Sequence, residues 1–402
     1  MKRSEIPKFG PLEGLRVMTI GQAVAGPFAG ALMSDFGAQV IHVESTFMKD
    51  AGRMGRGGIN QEHHRNQLNM SFNIPTPEGR EILFKLLKDI DIMIENSKGG
   101  QWEKWALTDE VLWEVNPKLV IVHVSGYGLT GDPDYIARPA WDVIGQAFGT
   151  LASLNGYEDM PMSANNGVCD HLTGLFALWS SLAAYLRVLK TGKGESIDVA
   201  QYEACLRGAT GGYPYEYFEY NNIPKRTGYA HPTVSGFRPF KCKDGFVFIA
   251  FSGASALKNG LPILGLEFGS EMFPTNKSLI MHGTESGRVL EEKLEEYCAG
   301  KTCSEAETEL NNAGVPISPI LDYRTSENHP HYLARNSYIE WENSKGKTIK
   351  GVGIVPKMKN APGKVWRGAP EYGADNDDIL GELGYSSEQI QALYENKIIV
   401  KD

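Results

Sequence analysis

Short apolar runs alternate with stretches of 3.6-residue periodicity through the first half of the chain. Residues 15–20, 39–44, 68–73, 91–96 and 119–124 are runs of strand length. Between them lie a Gly/Ala-rich segment, Gly26-Pro27-Phe28-Ala29-Gly30, with Pro27 suited to a first helical turn, and a helix from Pro77. That helix places Ile82, Leu83, Leu86, Leu87 and Ile90 on one face. Thr108 predicts the cap of a short helix ended by Asn116-Pro117. Residues 119–124 are nearly all apolar, as a central parallel strand covered on both faces requires. Strands separated by helices predict a doubly wound, Rossmann-like α/β sheet.

The pattern changes near residue 220. Residues 236–251 have hairpin spacing around Asp244-Gly245, Ser304-Glu305-Ala306-Glu307 reads as a capping box, and Gly314 as a helix stop. A smaller α+β domain follows from this. The tail from about Pro330 predicts short strands and a last helix near 387–395. The expected division is 1–222, 223–328 and 329–402.

Composition narrows the function. At 402 residues the chain buries a sizeable core, and its net charge of −9 argues against a nucleic-acid binder, which needs a basic face, while leaving room for local positive pockets for a phosphorylated ligand. The five cysteines form no CxxC pair, so neither a disulfide framework nor a zinc knuckle is expected and a cytoplasmic setting fits. The start lacks the apolar stretch of a secretory signal. The most apolar helix, 172–189, is interrupted by Ser180, Ser181 and Arg187 and reads as a core helix, not a membrane span.

Candidate chemistry centres on Asp170, which stands at the start of that helix, where backbone N–H groups and the helix dipole favour an anion. A nucleophile and an ordinary cap both suit that place. Cys169 beside it is a poor nucleophile, because the adjacent carboxylate disfavours a thiolate. Gly21-Gln22-Ala23-Val24-Ala25-Gly26, with Glu44 ending the next strand, invites a nicotinamide-dinucleotide reading, yet G-x-G-x-x-G is absent and tight packing explains the glycines as well. Ser125-Gly126-Tyr127-Gly128 ends a strand at the edge where open α/β sheets bind ligands. Lys98 and Lys104 read equally as phosphate contacts or as solvated charges. His63-His64 and His329-Pro330-His331 lack partners at metal-ligand spacing, so surface or cap roles are expected and no metal site is predicted.

Taken in order, these segments resemble the class III CoA-transferases, the formyl-CoA transferase-like family. The resemblance rests on Pro11-Leu12-Glu13-Gly14-Leu15-Arg16-Val17, Gly37-Ala38-Gln39-Val40-Ile41-His42-Val43-Glu44, Thr76-Pro77-Glu78-Gly79-Arg80, Thr191-Gly192-Lys193-Gly194-Glu195-Ser196 and Gly384-Tyr385-Ser386. Leu107-Thr108-Asp109-Glu110-Val111-Leu112-Trp113 and Pro356-Lys357-Met358-Lys359-Asn360-Ala361-Pro362 are similar to its carnitine-handling branch.

The resemblance implies an interlocked homodimer whose large domain combines the first half with the tail. It implies Asp170 as a covalent carrier between acyl-CoA and a free carboxylic acid. CoA contacts would fall on Gln22, Asn96, Lys98 and Lys104. The chain departs from the branch at Trp105, where a second arginine is expected. A glycine-rich lid is missing near Gly228-Tyr229-Ala230-His231, which disfavours oxalate-type chemistry. The racemase branch would need a histidine near Trp141-Asp142, and none is there. Carnitine, crotonobetaine and γ-butyrobetaine carry a quaternary ammonium that aromatic faces hold, and Trp141, Tyr127 and Tyr215 are the aromatic candidates. Coenzyme A thioesters would be substrates, with no permanently bound cofactor. Oxyanion donors would come from His171 and Leu172 or from the Gly126–Gly128 turn.

Overall fold

The computed structural model describes residues 1–54, 57–165 and 167–402, so Asn166 in the motif before Asp170 lies outside the described residues. Six parallel strands form the main sheet: β1 (Arg16–Ile20), β2 (Gln39–Glu44), β3 (Leu68–Ser71), β4 (Ile92–Glu95), β5 (Val120–Ser125) and β6 (Glu195–Ala200). Their spatial order is β3-β2-β1-β4-β5-β6. The order reverses between β1 and β4, which opens a crevice at their carboxyl ends. The fold is the expected doubly wound one.

Alternation along the strands divides the interior into two cores. Met18, Ile41, Met93 and Ile121 join Ile82, Leu83, Leu86 and Leu87 of helix α1 (Pro77–Leu87). Its cap is Thr76, whose hydroxyl accepts the Gly79 N–H at 3.0 Å. Val17, Val40, Ile92 and Val122 face the other way, onto Ala29 and Met33 of the helix Ala25–Asp35 and Ala177 and Val188 of helix α2 (Val168–Thr191). A Cβ on Gly30 would come within 2.6 Å of Thr19 Cγ2, so glycine lets the first of these helices lie flat on β1.

Helix α2 is long and apolar enough to cross a bilayer by length and composition. It packs on β5 and on the helix Ala25–Asp35, yet Leu175, Trp179, Leu186 and Leu189 are exposed. Those side chains form an apolar face that the monomer leaves open.

β3 is an edge strand, and the tail covers it. Asn69 N–H donates to Asp375 Oδ2 at 2.7 Å, Ser71 N–H to Asn376 Oδ1 at 3.0 Å, and Asn73 N–H to the Ile398 carbonyl at 2.8 Å. Arg367 pairs with both Asp375 oxygens at 3.0 Å. The last helix, Ser387–Glu395, starts from a capping box of Ser386 and Gln389.

The chain divides into two compact units: Met1–Leu151 with Ser163–Gly211 and Leu333–Asp402, and Ala152–Met162 with Gly212–Tyr332. The second unit has its own sheet, with Phe246–Ala250 between Phe237–Lys241 and Ile317–Pro319, and a core of Val247, Ile249, Phe251, Leu290 and Leu294. Residues 152–162 and 212–222, read from sequence as part of the first domain, group here. Arg226 reaches the Tyr157 carbonyl at 2.8 Å, and Gly228 N–H donates to the Gly156 carbonyl at 2.9 Å. The capping box of the helix Cys303–Asn312 is Thr302 with Glu305, two residues before the expected one.

Candidate active site

A cavity of about 220 Å³ opens at the crevice. The segment after β1 lines it with Gln22, Ala23, Val24 and Ala25, and the segment after β4 with Asn96, Ser97 and Lys98. The end of β5 adds Ser125 and Gly126, followed by Arg138 and Trp141; Asp170 and Gln201 complete the wall. Carboxyl ends of several parallel strands thus aim polar side chains into one space.

Asp170 is not the cap of its helix. Helix α2 begins at Val168 behind Gly167, a left-handed residue at φ 93°, and Asp170 is the third residue of the first turn. The capping is done by Asp142, whose Oδ1 accepts Cys169 N–H at 2.7 Å and Asp170 N–H at 3.0 Å. His171 N–H donates to the Gly167 carbonyl at 2.8 Å, so the N–H expected there as an oxyanion donor is taken. With the first turn served by Asp142, the Asp170 side chain is left free for other work.

That side chain is buried to 9% exposure and, among the described residues, accepts one hydrogen bond, from Gln201 Nε2 to Oδ1. Burial and then the neighbouring Asp142 charge push its pKa up to about 7, against the opposing effect of Gln201. A carboxylate stripped of water beside a like charge is held at high free energy, as a nucleophile should be.

Gln22 and Asn96 form a clasp between the ends of β1 and β4. Gln22 N–H donates to Asn96 Oδ1 at 3.0 Å, and Asn96 Nδ2 donates to the Gln22 carbonyl at 2.7 Å. A Cβ on Gly21, at φ +139°, would stand 1.5 Å from Asn96 Oδ1, so packing on Asn96 accounts for this glycine. A second cavity of about 340 Å³ shares Gln22, Asn96 and Ser97 with the first and is walled by Phe47, Met48, Phe72, Ile74 and Trp105. Where an arginine was expected, Trp105 is therefore an apolar wall.

The remaining expected residues scatter. Lys98 is exposed at the rim, and Lys104, exposed at the end of the short helix Gln101–Lys104, lines neither cavity. Trp141 lines the first cavity and is 56% exposed. Tyr127 packs its ring at 5.5 Å from Tyr135 and 5.0 Å from Phe148, which keeps it out of the cavity wall. Tyr215 belongs to the second unit, on the helix Tyr213–Tyr220, beside Tyr220. Glu44 is buried and bound to Arg53 and Asn69, so it has no oxygen to spare for a ribose. Cys169 is fully buried, its Sγ 3.2 Å from the Gln201 carbonyl; its neighbour Cys205 and then burial push the thiol far above its usual range. His63 and His64, expected at the surface, are buried instead, because the segment carrying them folds under β2.

Sequence reasoning missed Asp142, Gln201 and Arg138. Asp142 sits 28 residues from the amide it caps, and Gln201 31 residues from Asp170, so no local spacing announces either.

Residues 12–376 match the family described as CoA-transferase family III. The bile acid CoA-transferase BaiK of Clostridium scindens is 41% identical over 392 residues, 96% of this chain and 89% of that protein. The L-carnitine CoA-transferase of Proteus mirabilis is 39% identical over 393 residues, 96% of each chain. Among solved structures, a CAIB/BAIF family protein from Brucella suis superposes with a TM-score of 0.78 at 28% identity, covering 94% of this chain and all of that one. A protein from Mycobacterium tuberculosis gives the same TM-score at 20% identity, over 92% of this chain and 99% of its own, and supports the fold alone.

Proposed function

The chain belongs to CoA-transferase family III and is a CoA-transferase, and on that premise we propose that Asp170 carries the transferred group between a CoA thioester and a free betaine acid. Ionised Asp170 attacks the thioester carbonyl and expels CoA thiolate, leaving an aspartyl–acyl anhydride. The thiolate then attacks the aspartyl carbonyl and expels the donor carboxylate, leaving an aspartyl-CoA thioester. The acceptor carboxylate attacks that carbonyl, and the released thiolate takes the acceptor acyl group, which frees Asp170. No proton is transferred at any of these steps, so no histidine is required in the wall.

The observation that carries this reading is the buried Asp170 carboxylate at the crevice cavity, held by Gln201 and crowded by Asp142. Gln201 orients the attacking oxygen. Oxyanions at the tetrahedral steps fall to the start of the helix Ala25–Asp35, which has no side-chain cap and borders the cavity. We assign the CoA path to Gln22 and Asn96, leading from Asp170 toward the apolar cavity, with Lys98 and Lys104 as solvent-side cations for its phosphates.

Substrate choice follows from size and polarity. Ligand pockets commonly span about 300–1,000 Å³, and about 220 Å³ with a wall split evenly between polar and apolar surface suits a short charged acid better than a steroid. Trp141 offers the aromatic face for a trimethylammonium group. The exposed apolar face of α2 supports the interlocked homodimer, and five free cysteines support a reducing cytoplasm.

Incubation with acyl-CoA followed by hydroxylamine is expected to modify the peptide carrying Asp170. An adduct on Cys169, or none under turnover, overturns the carrier. Across a panel of carnitine, crotonobetaine, γ-butyrobetaine, their tert-butyl isosteres and bile acids, the betaine acids are expected to lead by about two- to thirtyfold over the isosteres. Faster transfer to bile acids overturns the betaine reading and leaves the carrier intact.

A further inference from the structure

Two imidazoles and a carboxylate meet in the interior behind the Gln22–Ala23 turn. His42 lies in β2, Asp50 caps the single turn Ala51–Arg53, and His64 ends the helix Gly58–His63. Their side chains are 1%, 0% and 1% exposed. One ligand atom from each lies within 4.8 Å of the others. His42 Nε2 and His64 Nε2 each stand 3.6 Å from Asp50 Oδ2, too far for a hydrogen bond. Neither nitrogen has a hydrogen-bond partner among the described residues. A buried polar atom left so is destabilising.

The spacing that fails as hydrogen bonding succeeds as coordination. Ligand atoms about 2.0–2.1 Å from a zinc ion at tetrahedral angles lie about 3.4 Å from one another. The supports around the cluster fit as well. Thr19 Oγ1 engages His42 Nδ1 at 2.9 Å, which turns Nε2 toward Asp50. The Asp50 carboxylate is fixed by Gly52 N–H at 2.6 Å and by Ala23 N–H at 3.1 Å, and Asp50 N–H donates to Glu44 Oε2 at 2.8 Å. Hydrogen bonds of this kind orient ligands in metal sites. Glu44 is already neutralised by Arg53, so the net charge offered to a cation is that of Asp50.

We propose that His42, His64 and Asp50 bind one divalent transition ion of the zinc class. Two imidazoles select such an ion over magnesium or calcium. Three protein ligands leave a fourth position for water. The ion would brace the active-site rim from behind. Ala23 adopts a left-handed backbone at φ 65°, costly for a residue with a side chain, and Asp50 holds its N–H in that place. The carboxylate that ligates the ion is therefore the one that shapes a wall of the Asp170 cavity. The site stands whichever acid the enzyme accepts.

The test uses the full-length protein with any affinity tag removed, stripped with chelator and dialysed against zinc. Mass spectrometry of metals is expected to find about one equivalent retained, with a higher Tm, and cobalt is expected to give visible d–d bands. Thr19→Val, which removes only the support of His42, is expected to weaken zinc binding about 10- to 100-fold. His64→Gln and His42→Gln are each expected to abolish stoichiometric binding. Wild-type protein that retains neither zinc nor cobalt overturns the site, as does retention by both glutamine variants equal to wild type. Should those variants fail to fold, wild-type stoichiometry and the Thr19→Val affinity decide: no loss of affinity in Thr19→Val then overturns the site.

Discussion

Two buried ionisable clusters stand at the ends of neighbouring strands, and their electrostatics are opposite. At the end of β5, His123 is gripped on both sides, Nδ1 by Glu95 at 2.8 Å and Nε2 by Asp109 at 2.9 Å. Burial works against its charge, but the two carboxylates outweigh burial and push it up to about 10. Around Asp170 a neighbouring charge is another carboxylate, and the favourable contact among the described residues is a neutral amide. The first cluster joins β4 and β5 to the helix Asp109–Val115. The second holds a group in the state that reaction relieves. Burial of charge is common to both; whether the charge is matched separates a clamp from a reactive centre.

The contrast is sharpest if each cluster is broken in turn. Asp170→Ala is expected to lower transfer by more than ~10³-fold, a loss on the scale seen when covalent nucleophiles are removed, with the urea midpoint unchanged or raised. Substantial residual turnover in a steady-state assay breaks the assignment. His123→Leu should do the reverse, costing about 3–5 kcal/mol because buried Glu95 and half-buried Asp109 lose the cation held between them. Its transfer rate per folded molecule should stay near wild type, measured at a temperature where the variant is folded. A variant as stable as wild type would show the clamp to be idle.

pH separates the clusters further. The stability contributed by His123 is fully present below its unfolded value of 6.5 and is lost as pH rises through about 10. Asp170 runs in a lower window. Its raised pKa makes the folded state hold a proton that the unfolded chain releases, so its contribution falls from about pH 4 to about 7. Asp170→Asn should therefore gain stability over wild type at pH 8, by on the order of 2–4 kcal/mol, and little at pH 4. Denaturant titration at the two pH values checks this, and an equal gain at both contradicts it. The smallest expected effect belongs to Asp142→Asn, which keeps an oxygen for the Cys169 and Asp170 amides and removes the like charge. The acid limb of the rate profile should move down by roughly one pH unit. An unmoved limb would leave burial alone to explain Asp170.

Legibility in the sequence followed the range of the interactions. β2 was readable at Gln39–Glu44, and the last helix at Ser387–Glu395, because a buried strand and a capping box are local patterns. Asp170 was readable as a candidate nucleophile or cap; the true cap, Asp142, acts across 28 residues of chain. Gly167 starts the helix by backbone conformation, without the Ser, Thr or Asp that marks most helix starts. His42, Asp50 and His64 come from three separate elements, so their meeting has no sequence period. Trp105 was visible only as a departure, and its role as a cavity wall needed β4 and β3 beside it.

The cover over β3 has a consequence for how the protein is made. Ser71 and the Asn376 that satisfies it are 305 residues apart. On a ribosome adding about 5–20 residues per second, β3 waits on the order of a quarter-minute to a minute for its lid. During that time it presents unpaired N–H groups at the edge of a growing sheet, the template on which strands of other chains add. Nascent chains on one message are thus at risk of pairing edge to edge until the tail emerges. Chaperone supply during that interval, more than final stability, then sets the yield of folded enzyme.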